Sequence, residues 1–155
     1  MSAAVEAFWS DFTAETGASG GYTAWGFGES PETATELGRL VRDGPKRATA
    51  ALLSEYAGGS EPMPAVGGYS VILDGDGAPL CVIQTTAVEV RRFGDVDEQF
   101  AWTEGEGDRS LAYWRDAHIE FFASIGAPVS DDTALVLERF DLVWPITSAS
   151  RYPEL

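Results

Sequence analysis

Residues 69–90 read YSVILDGDGAPLCVIQTTAVEV, and no other part of the chain constrains the architecture as strongly. Two segments rich in β-branched residues, Tyr69–Leu73 and Leu80–Val90, flank the tetrapeptide Asp-Gly-Asp-Gly at 74–77. β-Branched residues favour strands, and Asp-Gly pairs are strong reverse-turn signals. The stretch therefore predicts a β-hairpin. The repeated Asp-Gly superficially resembles a calcium loop but lacks the remaining ligand spacing, so we interpret it as a turn.

Helical patterns lie on both sides of this hairpin. Residues 5–12 and 110–125 repeat apolar side chains every three or four positions, which indicates amphipathic helices. Ser30 and Pro31 are typical of an N-cap and first helical residue, and Gly44 of the residue after a helix end. Residues 134–144 alternate as a closing strand. We predict an α+β fold with a small, mostly antiparallel curled sheet or barrel flanked by helices.

The length of 155 residues fits one domain, with disorder expected only in the first few residues and in the tail after Pro145. Residues 58–68, rich in Gly, Pro and Ser, are expected to form an exposed loop. Cys81 is the single cysteine and lies in an apolar run, so we interpret it as a buried, inert thiol in a reducing cytosol. The chain shows no secretory signal pattern and no apolar run of membrane-spanning length. We expect a cytoplasmic protein with no membrane partner.

The formal net charge is −15. Affinity for long nucleic acids depends on Lys and Arg that neutralise phosphates, so we expect weak binding to long duplex DNA or RNA. One local basic cluster remains, because Arg39, Arg42, Lys46 and Arg47 place four of the ten basic residues within nine positions. A nucleic-acid ligand should therefore be small.

Lys46 is the only lysine among those ten basic residues. Unlike a guanidinium, an ammonium that is partly desolvated can lose its proton and act as a base or nucleophile. Lys46 is therefore the first candidate for chemistry. The alternative is a solvated charge that complements the dipole of the preceding helix.

Other chemically capable side chains have simpler interpretations. His118, the only histidine, lies on the apolar stripe of the helix at 110–125, which favours a core histidine over a catalytic one. One His and one Cys leave mainly carboxylates as metal ligands, so we expect neither a metal nor another cofactor. Glu104, Glu106 and Asp108 are interpreted from their pattern alone as a solvated acidic loop, with Asp108 or Ser110 capping the next helix.

Four ordered blocks resemble the ASCH domain, a family related to the PUA-like RNA-binding fold. These blocks are GFGESPETATELGRLVRDGPKRATAALLSEY at 26–56, VGGYSVILDGDGAPLCVIQTTAVEVRRF at 66–93, EGEGDRSLAYWRDAHIEFF at 104–122 and LVLERFDLVW at 135–144. The resemblance sets domain limits of 25–145, with residues 1–24 as a helical extension packed on the domain and 146–155 as a C-terminal tail. It implies a small PUA-like β-barrel, a cleft beside the Gly-x-Lys turn and binding of RNA or a modified nucleoside.

One branch of the family resembles amidohydrolases that deacetylate N4-acetylcytidine with a lysine, a threonine three residues later and a distant glutamate. Lys46 and Thr49 match the first two, and Glu106, or alternatively Glu104, matches the third. In that chemistry a lysine with its pKa lowered to about 7–8 deprotonates the threonine, and the acid protonates the leaving amine. Backbone N–H groups around Gly44 and Lys46 would stabilise the oxyanion. The candidate ligand-contacting residues are Trp25, Phe27, Gly44, Arg47, Asp108 and Arg109.

The sequence leaves several functions open. The leading hypothesis is binding of a nucleoside, a nucleotide or short single-stranded RNA in the cleft. The alternatives are the amidohydrolase, a ribonuclease in which Lys46 stabilises phosphate charge, and an interaction module without a small ligand.

Overall fold

The structure, a computed structural model, describes residues 2–57 and 62–145. The predicted tail at 146–155 and residues 58–61 of the predicted loop lie outside the described residues. Within the described ranges the helices are α1 (Ala3–Thr16), α2 (Pro31–Asp43), α3 (Ser54–Ala57), α4 (Glu98–Glu104) and α5 (Leu111–Ser124). The strands are β1 (Thr23–Trp25), β2 (Ala48–Leu52), β3 (Tyr69–Leu73), β4 (Pro79–Arg92) and β5 (Ala134–Trp144).

In the described part of the chain, the strands form one five-stranded sheet in the order β1-β3-β4-β5-β2. β1 pairs with β3 in parallel, and the other pairings are antiparallel. The predicted hairpin is confirmed: β3 and β4 pair with each other, and Asp74 Oδ1 accepts hydrogen bonds from the backbone N–H groups of Asp76 and Ala78 in the turn. The α+β prediction is confirmed, and the sheet curls into a half-barrel with β1 and β2 at its edges.

The predicted helix boundaries of α2 and α5 follow from their caps. Ser30 Oγ accepts a hydrogen bond from the Thr33 N–H, and Pro31 is the first residue of α2. Ser110 Oγ accepts one from the Tyr113 N–H at the start of α5. Each cap satisfies an N–H group that has no partner inside its helix. The helices therefore begin where the sequence predicts.

Three apolar clusters hold the helices on the sheet. One joins α4 and α5 to β5 through residues such as Phe100, Trp114 and Leu137. A second joins α2 to β3 and β4, and a third places Phe12 of α1 against the other face of the hairpin. The domain limits drawn from the sequence stay predictions.

Cys81 is buried in the second cluster as a free cysteine, as the sequence predicts. Burial raises the pKa of its thiol to about 12, so the reactive thiolate is suppressed at neutral pH. Among the described helices, none combines the length and the apolar character needed to cross a bilayer.

Helix α4 is the element that the sequence analysis missed. Asp97 caps it by accepting a hydrogen bond from the Phe100 N–H, and Phe100 and Ala101 are its buried apolar residues. The interpretation of Glu104 as part of a solvated acidic loop is wrong, because Glu104 is the last residue of this helix and is 1% exposed. Its burial determines the geometry of the site below.

Candidate functional site

The ammonium of Lys46 is buried between two carboxyl groups, with the residue only 1% exposed. Nζ donates to Glu104 Oε1 at 2.9 Å, to Glu106 Oε2 at 2.7 Å and to the backbone oxygen of Ala48 at 2.8 Å. Three short acceptors match the three protons of an ammonium. Lys46 is therefore a fixed part of a buried network, and the alternative of a solvated charge at a helix end is wrong.

Backbone contacts place this lysine against the end of α4. The Lys46 N–H donates to the oxygen of Leu40, and the Arg47 N–H donates to the oxygen of Thr103. Gly105 lies so close that an added Cβ would come within 2.8 Å of the Lys46 backbone, and its φ of +70° is in the left-handed region. Glycine is needed here on both counts. Glu104 and Glu106 are the chain neighbours of Gly105. The close approach of Gly105 therefore holds both carboxyl groups beside Lys46.

The Gly-x-Lys turn does not offer the predicted oxyanion donors. The N–H groups of Gly44 and Lys46 both donate to the oxygen of Leu40, at 3.1 and 3.3 Å. Donors already bonded to a backbone oxygen are not directed at a ligand. The expected role of this turn in oxyanion stabilisation is wrong for this geometry.

Glu104 is the centre of the network. Its Oε1 accepts from Lys46, while its Oε2 accepts from Trp114 Nε1 at 2.8 Å and lies 3.3 Å from His118 Nε2. Burial raises the pKa of Glu104, but the charges of Lys46 and His118 outweigh burial and hold that pKa well below its ordinary value. Glu104 is therefore an ionised carboxylate that anchors three side chains.

Glu106 differs from Glu104 in exposure and in the direction of its pKa shift, and its side chain is 21% exposed. Burial raises the pKa of Glu106, Lys46 lowers it, and the neighbouring charge of Glu104 raises it again, so that the pKa lies above its ordinary value. Of the two carboxyl groups, Glu106 is therefore the one that takes up a proton more readily.

The predicted low pKa of Lys46 is wrong in direction. Burial lowers the pKa of its ammonium, but the charges of Glu104 and Glu106 and the hydrogen bonds to both raise it above the ordinary value. A lysine held in this way is a poor general base at neutral pH. The carboxyl group of Glu106, with its raised pKa, is better suited to proton transfer than this ammonium.

A pocket of about 320 Å³ opens beside the network, and we call it the Lys46 pocket. Its walls come from the loop before α2, from α2 itself, from β2, from the end of α4 and from α5. The lining includes Phe27, Lys46, Thr49, Glu106, His118 and Phe121. The structure thus brings Lys46, Thr49, Glu104 and Glu106 to one cavity, as the resemblance implies.

Phe27 forms an apolar wall of the Lys46 pocket. Its ring centroid lies 5.2 Å from Lys46 Nζ, and Trp25 packs edge-on against it at 4.8 Å between ring centroids. Trp25 is thus a supporting residue behind Phe27 and is not part of the pocket lining. Of the two predicted aromatic contacts, the structure places Phe27 in the lining.

The other predicted ligand contacts lie outside the pocket lining. Arg47 donates to the backbone oxygens of Val41, Gly44 and Lys46 and so fixes the turn. Asp108 is exposed and accepts from the Ser110 N–H. The Arg109 guanidinium lies over the Trp102 ring at 3.7 Å.

His118 is a satisfied histidine at the edge of the core, as its pattern favours, and it also lines the pocket. It lies one helical turn after Trp114, lines the pocket and points Nε2 at Glu104. Its side chain is 12% exposed. Burial lowers the pKa of His118, but the charge of Glu104 and a hydrogen bond to it raise that pKa above its ordinary value. The signal in the sequence was a lone histidine on a helical stripe, four residues after a tryptophan.

A wider and more open depression of about 590 Å³ lies between the start of α2 and the β3–β4 turn. Its lining has no aromatic side chain and none of the network residues. We therefore place the candidate site at the smaller Lys46 pocket. In the described part of the chain, no group of three or more His, Cys, Asp or Glu side chains is arranged to hold a metal ion.

Sequence comparison decides the family. A sequence model of the ASCH domain matches residues 23–144. The chain belongs to the ASCH domain family. This ASCH domain has the PUA-like fold, which is often associated with RNA binding. No protein of curated function is significantly similar to the chain in sequence.

Solved structures agree with this assignment. The chain is 33% identical to an ASCH domain from Lactobacillus crispatus, with a TM-score of 0.81 over 92% of this chain and 95% of that one. It is 36% identical to protein EF3133 from Enterococcus faecalis, with a TM-score of 0.79 over 90% of this chain and 87% of that one. The range matched by the family model, residues 23–144, contains every residue that lines the Lys46 pocket.

Proposed function

We propose that this ASCH domain binds a nucleoside, or one unpaired base of a short RNA strand, in the Lys46 pocket. The observation that carries the proposal is the convergence of Phe27, Thr49 and Glu106, from three distant segments, on one cavity beside a buried lysine. A volume of about 320 Å³ is within the range of small-molecule sites. The PUA-like fold supports a ligand of nucleic-acid chemistry.

The lining suits a nucleobase. The rings of Phe27 and Phe121 provide apolar surfaces against which a base can stack. The hydroxyl of Thr49 and the carboxyl group of Glu106 can bond to the polar edge of a base. Single-stranded and modified bases are recognised in this way, because their edges are free of pairing.

The charge of the Lys46 pocket disfavours entry of a ligand's phosphate group. The ammonium of Lys46 is already shared by two carboxyl groups, and Glu29 and Glu120 also line the pocket. A phosphate in this cavity would meet more negative than positive charge. We therefore infer that the base is the part of the ligand that enters the pocket. The ribonuclease alternative requires Lys46 to stabilise phosphate charge, but its ammonium is already paired with Glu104 and Glu106.

Hydrolysis of an acylated nucleoside is the second candidate, and the raised pKa of Glu106 favours it. A carboxyl group with a raised pKa holds its proton to higher pH and can donate it to a leaving amine. Lys46 would hold Glu106 in place as a fixed cation, with Thr49 beside the substrate. Incubation with N4-acetylcytidine and mass detection of cytidine and acetate tests this candidate, and an unchanged substrate would remove it.

Calorimetric titration tests the binding proposal. The ligands are cytidine, uridine, adenosine and N4-acetylcytidine, the corresponding 5′-monophosphates, and a hexanucleotide of single-stranded RNA. We expect at least one nucleoside to bind, with its monophosphate binding no more tightly. Tighter binding of every monophosphate would contradict the charge argument.

Two pocket variants, Phe27→Ala and Glu106→Gln, test whether the ligand binds in the Lys46 pocket. Phe27→Ala removes an aromatic wall, and loss of base stacking is expected to weaken binding about tenfold or more. Glu98→Gln is the matched control for Glu106→Gln, because Glu98 is an exposed glutamate at the other end of the α4 segment. Equal affinities for the wild type and both pocket variants would remove the Lys46 pocket as the binding site.

A further inference from the structure

Both ring nitrogens of His118 face groups that can only accept hydrogen bonds. Nδ1 lies 2.8 Å from the backbone oxygen of Trp114, and Nε2 lies 3.3 Å from Oε2 of Glu104. A carbonyl oxygen and an ionised carboxylate have no proton to donate. A neutral imidazole has a proton on one nitrogen only, so it would direct a lone pair at an oxygen. The arrangement fits the doubly protonated imidazolium.

Packing on Trp114 supports the same charge state. The two rings are nearly parallel, with centroids 4.1 Å apart and an angle of 22° between their planes. A cation over an indole face is attracted by the electrons of the ring. Trp114 Nε1 also donates to Oε2 of Glu104, so His118 and Trp114 contact the same carboxylate oxygen.

The acidic groups around His118 outnumber the cations. Glu104 at the end of α4 contacts it directly, Glu106 lies on the following loop, and Lys46 precedes β2. Glu29 and Glu120 line the other parts of the pocket. Two cations, Lys46 and His118, offset part of this negative charge. If His118 is neutral, the excess of negative charge grows, which favours a proton on Glu106.

We propose that His118 is a positioning residue of the Lys46 pocket, held as an imidazolium by Glu104 and Trp114, and that its charge decides whether Glu106 presents a carboxylate or a carboxylic acid to the ligand. A carboxylate only accepts hydrogen bonds, whereas a carboxylic acid also donates one. The charge on His118 therefore selects between bases with a donor edge and bases with an acceptor edge. This selection of ligand rests on the proposed function, but the charge relation between the two side chains does not.

The first experiment needs no ligand. His118 is the only histidine of the chain, so ¹⁵N labelling of histidine gives a single pair of imidazole resonances. We expect both nitrogens to carry protons at pH 7, and the titration midpoint to lie above that of a histidine in an unfolded peptide. A neutral tautomer at pH 7 would overturn the proposal.

The second experiment measures the effect on Glu106. The side-chain carboxyl of Glu106 is assigned by loss of its ¹³C resonance in Glu106→Gln and titrated in wild type, His118→Gln and Arg115→Gln. Glutamine keeps a donor toward Glu104, and Arg115→Gln removes a positive charge from the same helix outside the pocket lining. We expect an upward shift of the Glu106 midpoint in His118→Gln, larger than in Arg115→Gln. Equal midpoints in wild type and His118→Gln would overturn the proposal.

The third experiment connects the charge to binding. Cytidine affinity is measured from pH 5 to 9 in wild type and His118→Gln, with both proteins checked by circular dichroism. We expect the pH profile of affinity to move with the Glu106 midpoint. A profile that stays in place while the midpoint moves would refute the effect on ligand selection. Failure of every nucleoside to bind would instead refute the proposed function, and the two NMR experiments would still decide the charge relation.

Discussion

At the scale of single residues, Lys46 is the group on which the others depend. Its ammonium compensates Glu104, and Glu104 in turn aligns Trp114 and His118. Taking charges out of water costs several kcal/mol per ion, and the cost is offset only when the partners are well placed. Removal of one partner therefore leaves an uncompensated charge in the interior.

Lys46→Met tests this dependence, because methionine is similar in length but carries no charge. We expect unfolding in urea to show a loss of about 3–5 kcal/mol, as for other broken buried ion pairs. Arg42→Met is the matched control, since the pair of Arg42 with Asp43 lies on the surface and such pairs contribute about 0–1 kcal/mol. A loss in Lys46→Met no larger than in the control would contradict the buried network.

The pH dependence of stability gives a second prediction at this scale. The pKa of Glu104 is lowered by folding, so its ionised form stabilises the fold above the ordinary glutamate pKa of 4.5. That contribution is lost as the pH falls from about 4.5 through the lower folded-state value. The difference in unfolding free energy between wild type and Glu104→Gln should therefore shrink on acidification from pH 6 to 3. A difference that grows toward low pH would contradict the assigned charge state, and Glu98→Gln should show little change.

At the scale of elements, the connection between α4 and α5 positions Glu106. Gly105, Gly107 and Arg109 all have positive φ angles, of 70°, 58° and 65°. An added Cβ on Gly107 would come within 2.4 Å of the Tyr113 ring, and one on Gly105 would meet the backbone of Lys46. The alternation of left-handed residues folds this connection tightly against the start of β2.

Gly105→Ala is expected to disturb the site, and Gly17→Ala is its matched control. Each glycine directly follows a helix and is left-handed, with a φ of +76° at Gly17 and +70° at Gly105. A Cβ added to Gly17, however, would meet nothing within 4 Å. Left-handed strain alone costs about 1–2 kcal/mol. We expect Gly17→Ala to lose that amount, and Gly105→Ala to lose more and also to weaken nucleoside binding. Equal stability losses with unchanged binding in both variants would contradict the close approach of Gly105 to Lys46.

The elements that the sequence predicted correctly have local signals. The β3–β4 hairpin has its Asp-Gly turn, and the starts of α2 and α5 have Ser30 and Ser110 as caps. Helix α4 has only seven residues, about two turns, so its apolar residues do not repeat often enough to show a helical period. Its formation depends on burial of Phe100 against other elements, which a local pattern does not report.

The part of the site that could be predicted from the sequence is the part with a local signal. Lys46 and Thr49 are close in sequence, and the family resemblance identified them. The hydrogen bonds of Lys46 to Glu104 and Glu106 join residues 58 and 60 positions apart, and the direction of the Lys46 pKa depends on those bonds. The lysine could therefore be predicted from the sequence, but the direction of its pKa shift could not.

At the scale of the whole molecule, the net charge of −15 limits the ligands. Negative charge repels the phosphates of a long nucleic acid, and the Lys46 pocket adds its own glutamates to this field. We expect a 20-base-pair duplex to bind with a dissociation constant weaker than about 1 µM at physiological salt, measured by fluorescence anisotropy. Sub-micromolar binding of generic duplex would contradict this expectation.

The central claim is that the Lys46 pocket receives a nucleobase. The most direct test is a two-dimensional ¹H–¹⁵N NMR titration with the tightest-binding nucleoside of the panel, or with cytidine at millimolar concentration if none binds measurably. We expect the largest shifts at the amides of Phe27, Thr49, Glu106 and His118, with little change at Thr35 and Gly75 in the open depression on α2. Shifts concentrated at the open depression, or an unchanged spectrum at saturating nucleoside, would contradict it.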